Sequence, residues 1–166
     1  MKLLLKFILS ILLCLYLVIL TKLILFKHGD FTYIMEQFKG NHQYYWQTHN
    51  FIPFKTIGFY LFMGDINTNI RMDNLIGNII GFVPFGFILP LLSRKMTNLK
   101  SIAIATFCLS FTYEIFQLVF SLGSFDVDDL ILNTLGGIVG YFPVKILCQI
   151  IYLKKQRLKH SDKLNV

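Results

Sequence analysis

The stretch "FTYEIFQLVFSLGSFDVDDLILNTLGG", from Phe111 to Gly137, holds Glu114, Gln117, Asp126, Asp128, Asp129 and Asn133 inside or between strongly apolar segments. Asn74 and Asn78 stand at the head of an earlier apolar segment. Carboxylates with amides at helical spacing can bind a ligand, accept a proton as a general base, or offer oxygens to a hard divalent cation. The bland alternative for "FDVDD" is a helix N-cap, because an Asp at that position with further acids in the first turn complements the positive end of a helix. One capping Asp is readily explained, whereas three acids within four residues exceed what a cap requires. Asp126, Asp128, Asp129 and Glu114 together could ligate a cation, yet the Gly and Glu spacing of an EF-hand is absent. We expect no resident cofactor, with a divalent cation as the minor alternative.

The elements that must position these groups follow from composition. The chain has 166 residues, is 55 % hydrophobic and only 15 % charged, and has a mean hydropathy of +0.60. Soluble domains carry roughly 25 % charged residues, so this chain is expected in a bilayer. A spanning helix needs about 20 mostly apolar residues. Four stretches qualify: about 7–26, 75–92, 101–122 and 130–153. The expected fold is all-α, a polytopic four-helix membrane bundle whose domain covers residues 1–153, followed by a basic tail over 154–166. Pro84 and Pro143 should bend the second and fourth spans. The first apolar run is too long for a signal-peptide core and is followed by no A-x-A-like site, so it reads as a retained anchor.

Lys and Arg in the flanks set the orientation, since basic segments are retained in the cytoplasm. The N-terminal flank, the loop "SRKMTNLK" and the tail hold ten of the sixteen basic residues, and they alternate as four spans demand. Both termini are therefore expected in the cytoplasm. The long first loop and the "FDVDD" loop then face outward with seven of the nine acids. Within the first loop, "FIPFKTIGFYLFM" is too short to span and suits either an interfacial or re-entrant element, with Tyr44, Tyr45 and Trp46 as headgroup-level anchors, or an apolar loop that covers the bundle.

With a rise of 1.5 Å per residue, the polar groups of three spans fall at a shared depth on the order of 5 to 10 Å from the outer surface. Asn74 and Asn78 share a face of the second span, Glu114 and Gln117 lie i, i+3 in the third, and Asp129 and Asn133 lie i, i+4 in the fourth. An ionisable side chain at such depth normally faces the bundle interior and has a partner. A structural reading pairs Glu114 with Lys22; a functional one makes it a ligand contact or proton acceptor. "GNIIG" (Gly77 to Gly81) and "GGIVG" (Gly136 to Gly140) have the small-xxx-small spacing of close helix packing.

Other chemistry is not indicated. Cys14, Cys108 and Cys148 lack metal spacing and read as small buried hydrophobes. His28, His42 and His49 read as solvated loop residues. The net charge of +7 is distributed between apolar segments, which argues against nucleic acid.

The runs "NFIPFKTI", "NLIGNIIGFVPFGFILPLL" and "YEIFQLVFSLGSFDVDDLILNTLGGIVGY", in that order, resemble the VanZ-like family of bacterial membrane proteins over roughly residues 10 to 150. The matching positions are Asn50, Pro53, Phe54, Asn74, Asn78, Pro84, Gly86, Glu114, Gln117, Asp126, Asp129, Asn133 and Gly136. The resemblance implies a protein of a Gram-positive-type cell envelope, and the family's founding member is associated with low-level resistance to teicoplanin, a glycopeptide directed at cell-wall precursors. Many relatives have an Arg before the F-D-x-D-D run, where this chain has Gly123 and Ser124 and so lacks that cation for an anionic ligand.

The leading expectation is a non-catalytic envelope protein that lowers glycopeptide susceptibility. Its outward pocket of Asn74, Asn78, Glu114, Gln117, Asp126, Asp128, Asp129 and Asn133 would bind a lipid-linked precursor or the antibiotic, with membrane lipids as surroundings. The alternatives are an enzyme acting on a lipid-linked envelope substrate and a small proton-coupled transporter or flippase subunit.

Overall fold

The computed structural model describes residues 2–25, 49–62, 67–120 and 122–164. Among the described residues, five α-helices and one 3₁₀ turn follow in order: α1 (Lys2–Leu25), α2 (Lys55–Phe62), α3 (Thr68–Leu92), the turn Arg94–Met96, α4 (Leu99–Phe120) and α5 (Val127–Leu164). Four of the helices, α1, α3, α4 and α5, are long and apolar enough to cross a membrane. No strand occurs among the described residues, only an isolated parallel bridge between Asn50 and Asp126. The expected headgroup anchors Tyr44, Tyr45 and Trp46, and likewise His28 and His42, lie outside the described residues.

The helix starts carry side-chain caps. Asn67 accepts the Asn69 N–H at 2.9 Å before α3, and Asn98 accepts the Ser101 N–H at 2.8 Å before α4. Asp126 caps α5 through Oδ1, which accepts the Asp128 N–H at 2.8 Å. Between caps, α3 is helical through Pro84 and Pro90, and α5 continues past the apolar sequence to Leu164.

The bundle buries polar side chains beside apolar ones and turns large apolar side chains outward. The buried stripe of α4 comprises Ile102, Thr106, Ser110, Tyr113, Glu114 and Gln117, whereas Phe107, Phe111, Phe116 and Val119 are exposed. In a bilayer this is the favourable arrangement, because lipid accepts apolar side chains and leaves polar ones to find partners between helices. The three cysteines obey the same inversion. They are exposed on the bundle surface, contrary to the expectation of burial, because small apolar groups gain nothing by facing inward when the solvent is hydrocarbon.

Glycines bring α3 and α5 into backbone contact. A Cβ added at Gly136 would collide with the Ile79 carbonyl, one at Gly140 with the Val83 carbonyl, and one at Gly86 with the Gly137 carbonyl. The Gly77–Gly81 pair does not share this role: Gly77 faces open space, and a Cβ on Gly81 would make only an ordinary 3.7 Å contact with Leu20. α1 is held differently, by side chains. Leu20 and Leu25 pack with Phe82 and Tyr113, Tyr16 donates to the Gly81 carbonyl at 2.6 Å, and the Thr21 and Tyr113 hydroxyls lie 2.9 Å apart.

Candidate functional site

The glycine seam places the first turns of α5 beside α3 and α4, and there the acids of "FDVDD" take three separate tasks. Asp126, the N-cap, also accepts the Asn50 side-chain amide at 2.8 Å. Asp128 is fully buried and accepts three backbone N–H groups, from Phe54 (2.5 Å), Thr56 (2.7 Å) and Ile57 (3.0 Å). It therefore clamps the start of α2, where a carboxylate also meets the positive end of the helix dipole. Asp129, half-buried, accepts the Asn78 amide of α3 at 2.6 Å.

The clamp at Asp128 belongs to a longer seam. Asn50 donates its N–H to the Phe125 carbonyl at 2.8 Å and accepts the Val127 N–H at 3.0 Å. His49 Nδ1 accepts the Phe125 N–H at 2.9 Å, and Phe51 stacks on Phe125 with ring centroids 5.1 Å apart. His49 is thus buried rather than solvated, and burial holds its pKa below the ordinary imidazole value. Phe54 has a φ of 66°, in the left-handed region that a bulky residue rarely occupies, and its N–H is one of those held by Asp128.

Glu114 lies beneath this seam with 2 % of its surface exposed, and its Oε2 accepts the Asp126 N–H at 2.8 Å. Lys22 is exposed on α1, so the hydrogen bond to Glu114 comes from the backbone and not from that lysine. The charges of Asp129 and Asp126 both act on Glu114. One turn deeper, the Asn133 amide nitrogen donates to Ser110 Oγ at 2.8 Å, while its Oδ1 is buried with no partner among the described residues.

The remaining expected residues border this layer and bond to other parts of the chain. Asn74 donates to the Ile70 carbonyl of its own helix at 2.7 Å, and Gln117 donates to the Ile24 carbonyl of α1 at 3.1 Å. Asp128 faces α2. Glu114, Asp126, Asp129 and Asn78 form the layer itself, with Asn133 as its floor. No three His, Cys, Asp or Glu side chains converge as ligands of one metal ion among the described residues.

Tyr60 is a site residue that residue spacing did not single out. It is half-buried on α2, and burial, then the charges of Asp129 and Asp126, raise its pKa above the ordinary phenol value. A hydroxyl in the otherwise apolar "GFYLF" was its only sequence signal. Ser110 gave none, because a serine in a membrane helix is unremarkable until its neighbour is known.

These features define a small polytopic helical membrane protein with an acidic layer buried between three spans. The chain belongs to the VanZ/LLP1 family, which its residues 13–150 match. It is 34 % identical over 129 residues to Protein VanZ of Enterococcus faecium, an alignment covering 78 % of this chain and 68 % of that protein. No solved structure matches the chain.

Proposed function

We propose that this multi-pass membrane protein lowers susceptibility to glycopeptide-type antibiotics such as teicoplanin by binding a lipid-linked envelope precursor, or the antibiotic itself, at the Glu114–Asp129 layer. Asn78 and Asn133 belong to the contacting set, and Asp126 and Asp128 hold the loop that borders it. Asn74 and Gln117 lie at its periphery. The layer faces outward and both termini are cytoplasmic, a reading supported by the alternation of basic flanks.

The observation that carries the reading is Glu114. An acid inside a spanning helix costs about 2.5–3.5 kcal/mol even on the lenient insertion scale, taking the Asp value as its guide. Here it is buried beside two further carboxylates and receives its hydrogen bond from a backbone N–H. A fold in need only of packing would gain from an apolar residue at this position; a binding site would retain the acid.

The test is antibiotic susceptibility in a strain where deletion of the gene changes it. Complementation with Glu114→Gln or Asp129→Asn, at normal protein levels, is expected to reproduce the deletion phenotype. Wild-type susceptibility from both variants would remove the proposal.

A further inference from the structure

We infer that the part of α5 beyond the bundle, residues 145–159, lies along the membrane surface as an amphipathic helix that takes anionic lipid headgroups. This surface is at the end of the bundle opposite the acidic layer, and the inference does not depend on the antibiotic reading. The bundle ends at Val144. Ser110 meets Asn133 and Thr106 meets Gly137 across α4 and α5. Leu99, seven residues before Thr106, is therefore level with Val144, seven after Gly137. At the same end the Tyr141 hydroxyl donates to the Thr97 carbonyl at 2.6 Å. Val144 is 3 % exposed, whereas every described side chain from Lys145 to Arg157 is exposed. The 22 residues of α4 already rise about 33 Å, a full hydrocarbon core. α5 thus leaves the core near Val144, where Lys95 and Lys100 of the adjoining turn are also exposed.

The apolar sequence does not stop at that level. Ile146, Leu147, Ile150, Ile151 and Leu153 are all exposed, on a helix that runs on to Leu164. Standing straight out of the core they would enter water, with Leu153 about 13 Å beyond Val144. Their positions on the helix offer another arrangement. Lys145, Gln149, Tyr152, Gln156 and Lys159 recur every three or four residues and share one side, while Leu147, Ile150, Ile151 and Leu158 fall on the other. Lys154 is on the apolar side, where a lysine stem can lie on hydrocarbon with its charge in the headgroups. Pro143 stands at the exit. It leaves the Val139 carbonyl without its helical donor, which lets the helix bend toward the plane of the membrane.

Charge identifies what covers the segment. Residues 145–159 carry five bases, Lys145, Lys154, Lys155, Arg157 and Lys159, and the chain has no acid from Leu130 to Ser161. A basic cluster directly beside a spanning helix is drawn to anionic headgroups, and an apolar face beside it enters the acyl boundary. A second copy of the same segment is the poorer occupant, because it would bring like charges together without a compensating acid.

Spin labels on Gln149→Cys and Ile151→Cys test the arrangement, each in the full chain carrying Cys14→Ser, Cys108→Ser and Cys148→Ser. The chain is placed in phosphatidylcholine vesicles with or without phosphatidylglycerol. With the anionic lipid, the label at position 151 should collide mainly with oxygen dissolved in the bilayer, and the label at position 149 with an aqueous nickel complex. Replacing Lys145, Lys155 and Lys159 together by Gln should open position 151 to the nickel complex, each lysine being worth about fivefold in the ratio of bound to released segment. Vesicles of phosphatidylcholine alone should do the same to the unsubstituted segment. Access of the nickel complex to both positions in the anionic vesicles would make the segment a rod in water. Access of oxygen alone to both would make it a continued transmembrane span. Strong spin–spin broadening at position 151 would put a second copy on the apolar face. Each of these results would overturn the inference, as would identical profiles in the two lipid mixtures.

Discussion

α3 is bound to α5 and to α1 by opposite means. Toward α5 it presents backbone, with Gly86, Gly136 and Gly140 letting the two helices approach to carbonyl contact. Toward α1 it presents Phe82 and the Gly81 carbonyl, met by Leu20 and the Tyr16 hydroxyl, and the outward faces of α1 are exposed along most of its length. The first contact fixes position closely and tolerates no added volume. The second holds an anchor in place through a few replaceable groups. Because Asp129 and Asn78 meet across the first, the acidic layer is set by the glycine seam rather than by the bundle as a whole.

Substitutions should separate these two contacts by size of effect. Gly136→Leu and Gly140→Leu should give the largest loss, since even a Cβ meets backbone carbonyls; core overpacking of the usual kind costs about 1–3 kcal/mol, and this case should exceed it. Gly77→Ala, on the α3 side but facing open space, should be neutral or stabilising by about 0.5–1 kcal/mol. Thermal unfolding of the purified protein would show the contrast, and similar behaviour of Gly77→Ala and Gly136→Leu would break it.

Asp128→Ala comes next. It leaves three backbone N–H groups without their acceptor, at about 1–3 kcal/mol for each one that stays buried, less whatever water recovers. Limited proteolysis should show new cleavage within residues 49–62 while α3 and α5 stay protected. Cleavage spread evenly over the chain would instead make Asp128 part of the seam. Tyr16→Phe should cost only about 0.5–1.5 kcal/mol, one hydrogen bond of the α1 contact, and leave the acidic layer intact.

The smallest effect belongs to His49 and depends on pH. Its folded pKa lies below the ordinary value of 6.5, so the unfolded chain takes up the proton first as pH falls. The stability His49 contributes is complete above that value and is lost as pH drops through it toward the folded pKa, where protonation also removes the acceptor of the Phe125 N–H. The difference in unfolding midpoint between wild type and His49→Gln should accordingly narrow between pH 7.5 and 5. A difference independent of pH would show that His49 acts by packing alone.

The spans were legible because a hydrocarbon solvent demands long apolar runs, and helical rise alone brought Glu114, Asp129 and Asn78 to one depth. The division of labour within "FDVDD" was not legible. Asp128 is explained only by the backbone of residues 54–57, which reaches it across more than seventy positions of chain. His49 was misread for the same reason, its partner being the Phe125 N–H. Spacing identified Gly136 and Gly140 as packing residues but not their counterpart, since one helix's pattern does not say which face of its neighbour it meets; Gly86 and the backbone at Ile79 and Val83 fill that role, not Gly77.

The central claim is that the Glu114–Asp129 layer receives a ligand. A photocrosslinking amino acid at Tyr60, on the rim of the layer, and a second at Leu135, exposed on the outside of α5, would be compared in native membranes with and without Glu114→Gln. The account predicts a product from position 60 that disappears with Glu114→Gln, while the products from position 135 do not change. An identical product from position 60 in both backgrounds would contradict it.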